Sequence, residues 1–423
     1  MENLLHYVWK HRLYGPGNFK TIDGTALEII DPGTHNTDAG PDFFNAKIKL
    51  DGNLWAGNIE IHTQASDWYK HKHDTDKAYN SVILHVIESS GTQPVCNQSG
   101  QTLPQWRMPV PESIRMNYLY LSNHDSPVPC LSRIREIPEI YWTDWKNALT
   151  SERLESKIQT IFQLLQNGRD DWNEVFYITL ARNFGFGINN DAFERLAKSL
   201  PLRYILKHSN SPWQVEALFL GQAGLLEDEI PDDDYYRTLQ QEYNFLRKKY
   251  RLQALESSLF KSLRIRPNNF PHIKIVQLAG FTGNEQSLFS RLLEKDSLPD
   301  FQSLFFAPVP DYWETHYHFG KTSPRRKKGL GLSAIHILLI NTVVPILFAY
   351  GKKKNQEHFM QKALDLLEAI PPEKNHIVNA FTRAGVTVTH AGDTQALIQL
   401  RKAYCDPKKC IFCRIGHKLL AGH

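Results

Sequence analysis

Apolar and polar positions alternate with a period of two through much of the first hundred residues, and with a helical period after about residue 135. The first region predicts strands at ALEII (26–30), NAKIKL (45–50), NIEIH (58–62) and VILHVIE (82–88), with DPGTHNTDAGPD (31–42) as a long polar loop. Ala46, Ile48 and Leu50 share one face of their strand. Ile59 and Ile61 share one face of the next, leaving Asn58, Glu60 and His62 opposite. Asp51-Gly52 between these two strands is a tight-turn signal and predicts a hairpin. Val82 to Ile87 is apolar on both faces apart from His85, which suits a strand inside a sheet.

Residues 111–135, with Pro127 and Pro129, read as a mixed linker. Beyond them Leu154, Ile158, Ile161 and Leu165 recur at helical spacing and stop at Gly168. Phe193, Leu196, Ala197 and Leu200 do the same and stop at Pro201. Ser211-Pro212-Trp213-Gln214 reads as a capping box with proline at the first helical position. More helices are predicted at 236–263, 285–294, 331–350, 355–369 and 393–404. The expected fold is α+β: a mixed α/β domain over 1–130, then a mainly helical domain over 131–423.

Length and composition change this picture little. A chain of 423 residues with 41% hydrophobic content can bury two cores. The 49 basic and 45 acidic residues leave a net charge of +4, too small to imply a polyanion partner without local clustering. The apolar run from Ala334 to Tyr350 is broken by His336, Asn341 and Pro345, so a buried helix is expected there and no membrane partner. The opening MENLLHYVWKHRLYG has no continuous apolar core of the length a secretory signal needs, and a cytoplasmic location is expected. Oligomeric state is not encoded in any pattern here.

The candidate chemistry begins with Pro41-Asp42, followed eighteen positions later by Glu60-Ile61-His62. An acid at the mouth of one strand, and an acid and an imidazole on one face of its partner, can converge on a divalent cation with a base beside it. This arrangement resembles the PD-(D/E)xK nuclease superfamily, whose core is a hairpin carrying those elements and flanked by helices. The resemblance implies a restriction-endonuclease-like domain. Asp42 and Glu60 would hold Mg²⁺ or Mn²⁺, and His62 would stand where the superfamily has lysine, as base or additional ligand. Lys47 or Lys49 on the neighbouring strand is a candidate replacement ammonium. His71, His73 and His85 lie in the same histidine-rich region. His71 and His73, two apart, would share a face only in an extended segment. His85 fits a hydrogen-bonded core residue or a group supporting the site from behind. Glu60 and His62 also fit the solvated face of an antiparallel sheet.

Gly40-Pro41-Asp42-Phe43, Glu60-Ile61-His62, Ser66-Asp67-Trp68, His71-Lys72-His73 and Leu84-His85-Val86 together resemble a bacterial family labelled a domain of unknown function. Glu152 to Lys157, Arg266 to Pro271, Asn341 to Pro345 and the terminal cysteines echo it. That family carries no settled activity.

Cys405-x4-Cys410-x2-Cys413-x3-His417 offers three thiols and an imidazole for tetrahedral Zn²⁺, with an iron–sulfur cluster completed by Cys130 or Cys96 as the alternative. Arg325 to Lys328, together with Arg264 and Arg266, are candidate phosphate contacts, Arg325 and Arg326 foremost. Phe319-Gly320-Lys321-Thr322 lacks the earlier glycine of a phosphate loop, and neither a nucleophile elbow nor a dinucleotide fingerprint is present. The expected function is a metal-dependent, nuclease-like hydrolase of a phosphodiester, with nucleic acid as partner. The alternatives are a non-catalytic module binding nucleic acid or protein, and a zinc hydrolase using His62, His71, His73 and His85.

Overall fold

The computed structural model describes all residues except 90, 92, 169, 231, 284–287, 307, 308 and 423. The chain forms two compact units: Met1–Trp145 with Ala380–Val386 and Leu400–His423, and Lys146–Asn379 with Thr387–Gln399. The first carries a mixed sheet and the second is helical, apart from a two-stranded hairpin.

In the first unit, helix α1 (Glu2–Lys10) precedes strands β1 (Phe19–Lys20), β2 (Ala26–Asp31), β3 (Thr34–His35), β4 (Phe43–Leu50), β5 (Asn53–His62), β6 (Val82–Ile87) and β7 (Gln105–Arg107). The sheet order is β1-β2-β4-β5-β6-β7, with β3 paired to the start of β4. The expected polar loop at 31–42 therefore contains one short strand. Pairing is antiparallel as far as β5 and parallel from β5 to β7. Asp51 and Gly52 both adopt positive φ (46° and 81°), the type I′ geometry whose twist matches a two-residue hairpin.

The connection from β5 to β6 passes through the short helix α2 (Asp67–Lys70) and a 3₁₀ turn at Lys77–Ser81. A parallel pair requires such a crossover, and it gathers polar groups at the C-terminal end of β5. On one sheet face Leu4, Leu5, Val8 and Trp9 of α1 pack over Phe43, Ile48, Ile59, Ile61, Leu84 and Val86. The stretch expected to be a linker instead contains helix α3 (Glu112–Asn123), whose Ile114 and Leu121 join that core, as does Leu420 of the C-terminal helix Arg414–Ala421. On the opposite face Trp68, Tyr79, Val82, Val95 and Leu103 form a smaller cluster.

The second unit packs Trp172–Phe184, Asn190–Ser199, Pro212–Gln222, Asp234–Tyr250 and Pro271–Thr282 with later helices around one apolar core. Leu332–Lys354 is long and apolar enough to cross a membrane, with mean hydropathy 2.1, yet 67% of its most apolar window is buried in the protein. Ile335, Leu338, Val343, Ile346 and Leu347 are core residues there. The helix expected at 236–263 ends at Tyr250, where Arg251 takes a left-handed cap at φ 53°. The expected helix at 285–294 is seen as Leu288–Leu293, residues 284–287 lying outside the described ones. Ser211 does precede a helix beginning at Pro212 but makes no side-chain cap bond. Gln214 is instead held by His208 Nδ1 (2.5 Å) and Glu242 (2.7 Å).

Candidate metal centre

The site begins with a register change. Through most of the β4–β5 hairpin Ala46 faces Gly57 and Lys47 faces Ala56, a register that would set Phe43 against Glu60. One extra residue intervenes: Asn45, at φ 57°, makes a bulge and donates its N–H to Asn58 Oδ1 (3.1 Å). Phe43 therefore pairs with Ile59, and Asp42 falls opposite Glu60. A slip of one residue exchanges the faces of a strand, so the bulge is what turns Asp42 toward Glu60 while Phe43 enters the core.

The two acids are fastened to each other's strands. Asp42 N–H donates to Glu60 Oε2 (3.1 Å), and Ile61 N–H donates to Asp42 Oδ2 (2.9 Å). His6 of α1 brings Nε2 to within 3.2 Å of the same Asp42 oxygen. Burial pulls the His6 pKa down, but the Asp42 hydrogen bond and charge outweigh it and hold the imidazole above its ordinary value.

Glu60 Oε1 faces the imidazoles. It lies 3.4 Å from His62 Nε2 and 3.2 Å from His73 Nε2, and His62 Nε2 lies 3.2 Å from His71 Nδ1. Among the described residues His62, His71 and His73 are the one group of potential metal ligands whose donor atoms all lie within 4.8 Å of one another. Bonds of about 2.0–2.1 Å from zinc to nitrogen or oxygen place tetrahedral ligand atoms about 3.3–3.4 Å apart, close to the separations seen here. His73 Nε2 is buried and makes no hydrogen bond despite its nearness to Glu60, the mark of two donors aimed at a common point.

His71 and His73 share the site through a helix cap, not through the extended segment that spacing alone demands. Lys72 takes φ 62° after α2; Lys72 N–H bonds to Tyr69 O (3.1 Å) and His73 N–H to Trp68 O (3.1 Å), a Schellman motif that folds the chain back. Asp67 fixes α2 to the end of β5 by accepting from Thr63 Oγ1 and Gln64 N–H, both at 3.0 Å. The His73 ring stacks on Tyr79 with centroids 3.7 Å apart.

Behind the site His85, the β6 register partner of Glu60, places Nε2 2.9 Å from His62 Nδ1, and Gln105 of β7 contacts His85 Nδ1 at 3.1 Å. With the amide nitrogen of Gln105 toward His85, protons run along this chain to His62 Nε2. Half a turn of the amide reverses every donor, protonates His62 Nδ1 and leaves the Nε2 lone pair facing Glu60 and His71. The relay thus ties the His62 tautomer to the orientation of the Gln105 amide, and the turned amide is the one that leaves His62 Nε2 able to act as a ligand.

Without a cation the electrostatics are unfavourable. Burial, followed by the Asp42 charge, pushes the Glu60 carboxyl up to about 9. Burial, reinforced by the neighbouring imidazoles, pulls His62 down to about 3; burial does the same to His85 and lowers His73. Three neutral imidazoles beside a carboxyl that resists ionisation form a pocket in which a divalent ion would reverse the carboxyl's preference.

The remaining candidates lie elsewhere. Lys47 is exposed on the Glu60 face but pairs with Ala56, four residues and about 13 Å along the strand from Glu60. Lys49 pairs with Glu28 (3.1 Å). Cys405, Cys410 and Cys413 lie in the first unit, whereas the His417 ring turns away to Tyr7, Nδ1 lying 2.6 Å from its hydroxyl, and packs on His11. Arg264 and Arg266 are exposed in the second unit. There Arg325 is paired with Glu314 (2.7 Å), Arg326 is exposed, and Lys328 is buried with Nζ on His316 O (2.7 Å). His6, Tyr79 and Gln105 carry no spacing signal that would have singled them out.

A mixed α/β unit with three imidazoles and a carboxylate converging at the end of a central strand is a candidate metalloprotein. The chain belongs to the family described as protein of unknown function, DUF2851, which it matches over residues 2–376. That stretch contains every residue of the donor cluster and ends before Cys405. No curated protein and no solved structure matches the chain.

Proposed function

We propose that the chain is a metal-dependent hydrolase acting on a phosphodiester, with the metal held by Glu60, His62, His71 and His73. The observation that carries this reading is the run of 3.2–3.4 Å separations from His73 Nε2 to Glu60 Oε1, from Glu60 Oε1 to His62 Nε2 and from His62 Nε2 to His71 Nδ1, with His73 Nε2 buried and without a hydrogen bond. The donor set favours Zn²⁺ over the Mg²⁺ or Mn²⁺ implied by the hairpin resemblance, because imidazole suits zinc and magnesium prefers oxygen. A bound divalent ion supplies a water acidified toward neutral pH and a Lewis acid for a phosphoryl oxygen.

The protein's own groups divide the remaining work. His85 and Gln105 fix the His62 tautomer, the Lys72 cap aims His71 and His73, and Asp42 with His6 positions Glu60 through its strand. His71 is the exposed member of the set, so substrate reaches the site from its side. The phosphodiester class is supported by the acid pair on a helix-flanked hairpin, the feature shared with PD-(D/E)xK nucleases.

The purified protein should contain one zinc per chain at this centre and hydrolyse bis(p-nitrophenyl) phosphate, with His73→Ala losing both. A zinc-loaded protein inert toward that ester and toward DNA and RNA would leave a binding module and end the hydrolase reading.

A further inference from the structure

All five cysteines lie in the first unit, and four of them interact although 275 positions separate Cys130 from Cys405. Cys130 sits in the 3₁₀ turn Pro129–Glu136, Cys405 ends the π turn Leu400–Cys405, Cys410 opens the 3₁₀ turn Cys410–Phe412, and Cys413 caps the helix Arg414–Ala421. All are free thiols; Cys405 and Cys413 are buried, and Cys130 and Cys410 pack beside the sheet core. Each lies within electrostatic reach of others: Cys413 and Cys410 act on Cys130, and Cys130, Cys413 and Cys410 all act on Cys405.

The backbone is arranged around this meeting point. Gly416 lies so close to the Cys410 turn that a Cβ would come within 2.0 Å of the Cys410 carbonyl oxygen. Lys408 adopts φ 56° between Cys405 and Cys410, and its ammonium binds the carbonyls of His124 and Ser126, just ahead of Cys130. The Cys413 sulfur accepts the backbone N–H groups of Ile415 and Gly416 at a helix start, although burial outweighs them and pushes the thiol up to about 11. Ordinary packing offers no reason to collect four thiols from distant parts of the chain, since each buries only a small apolar group.

We propose that Cys130, Cys405, Cys410 and Cys413 ligate an iron–sulfur cluster that staples the C-terminal segment to the sheet unit. These sulfurs are not gathered closely enough for a single ion. A zinc tetrathiolate with bonds of about 2.3 Å needs sulfurs about 3.8 Å apart. Among the described residues only His62, His71 and His73 place three donor atoms within 4.8 Å of one another, so no three of these sulfurs meet that requirement. A cube of iron and sulfide holds its four thiolates further apart than one ion does. Cys130 thus takes the fourth position in place of His417.

The test is full-length protein purified without oxygen, assayed for iron and inorganic sulfide and for a broad visible absorption bleached by dithionite. Iron and sulfide in equal amounts, about four of each per chain, are expected. Cys130→Ser and Cys413→Ser should reduce both at least tenfold, and His417→Ala and Cys96→Ser should keep them. Inorganic sulfide is diagnostic because the histidine centre can bind iron but not sulfide. The wild-type stoichiometry does not depend on any variant folding. Zinc or iron without sulfide, no metal after anaerobic reconstitution, or full sulfide retention by a folded Cys130→Ser would overturn the proposal.

Discussion

Glu60 Oε1 stands 3.2 Å from His73 Nε2, yet the two are not hydrogen-bonded, and the imidazole nitrogen is buried with no other partner. A buried polar atom left unpaired costs about 1–3 kcal/mol, so this pair is stable only if something satisfies both groups together. A shared cation does that. Zinc binding should therefore raise the melting temperature of the wild-type protein, and His73→Ala should abolish that rise. An equal rise in the variant would place the ion elsewhere.

Gln105 reaches the centre only through His85 and His62, so its effect is on ligand orientation. Gln105→Leu preserves volume but removes the partner that fixes the relay. Its zinc affinity should fall by about 10–100-fold in a chelator competition, with little loss of fold. Unchanged affinity would show that the His62 tautomer does not depend on this chain.

Asn45 holds positive φ at the bulge that sets Asp42 opposite Glu60. A β-branched residue resists that conformation, at about 1–3 kcal/mol, whereas glycine adopts it freely. Asn45→Val should lower stability by that amount and weaken zinc binding, while Asn45→Gly should retain the metal. Equal metal content in both variants would separate the bulge from the centre.

Lys72 makes the same kind of demand at the cap between His71 and His73. Lys72→Gly should be neutral or slightly stabilising, and Lys72→Ile should reduce zinc affinity without touching a ligand. Chelator competition on the two variants decides this, and similar affinities would remove the cap from the argument.

These four residues also mark where the sequence is readable. The hairpin and the facing of Glu60 and His62 follow from period-two alternation and the Asp51-Gly52 turn, and the buried β6 from residues apolar on both faces. Asn45 and Lys72 are invisible to that pattern because what matters is one dihedral angle, and asparagine or lysine at positive φ has no distinct spelling. Helix α3 was hidden because only Ile114 and Leu121, seven residues apart, are buried, while Pro127 and Pro129 just beyond dominate the local signal. His6 and Gln105 come from elements whose position over Asp42 and His85 is tertiary. The return of the C-terminal segment to the first unit has no local cause, so periodicity could not pair Cys130 with Cys405.

In the second unit Glu216 is buried and accepts the Trp313 indole N–H (2.6 Å) and the Tyr235 hydroxyl (2.8 Å). Those donors favour the carboxylate, but burial outweighs them and pushes the carboxyl up to about 7 from an ordinary 4.5. Below the lower value both folded and unfolded chains hold the proton, and the group is neutral with respect to stability. As pH rises from about 4.5 to about 7 the unfolded chain releases its proton first, so stability falls across that window by about 3 kcal/mol and stays lower above it. Glu216→Gln keeps the shape and one acceptor oxygen but cannot ionise. Denaturant unfolding of the two proteins between pH 4.5 and 8 should show the wild type losing stability relative to the variant as pH rises. Parallel curves would mean that Tyr235 and Trp313 already stabilise the carboxylate as well as water does.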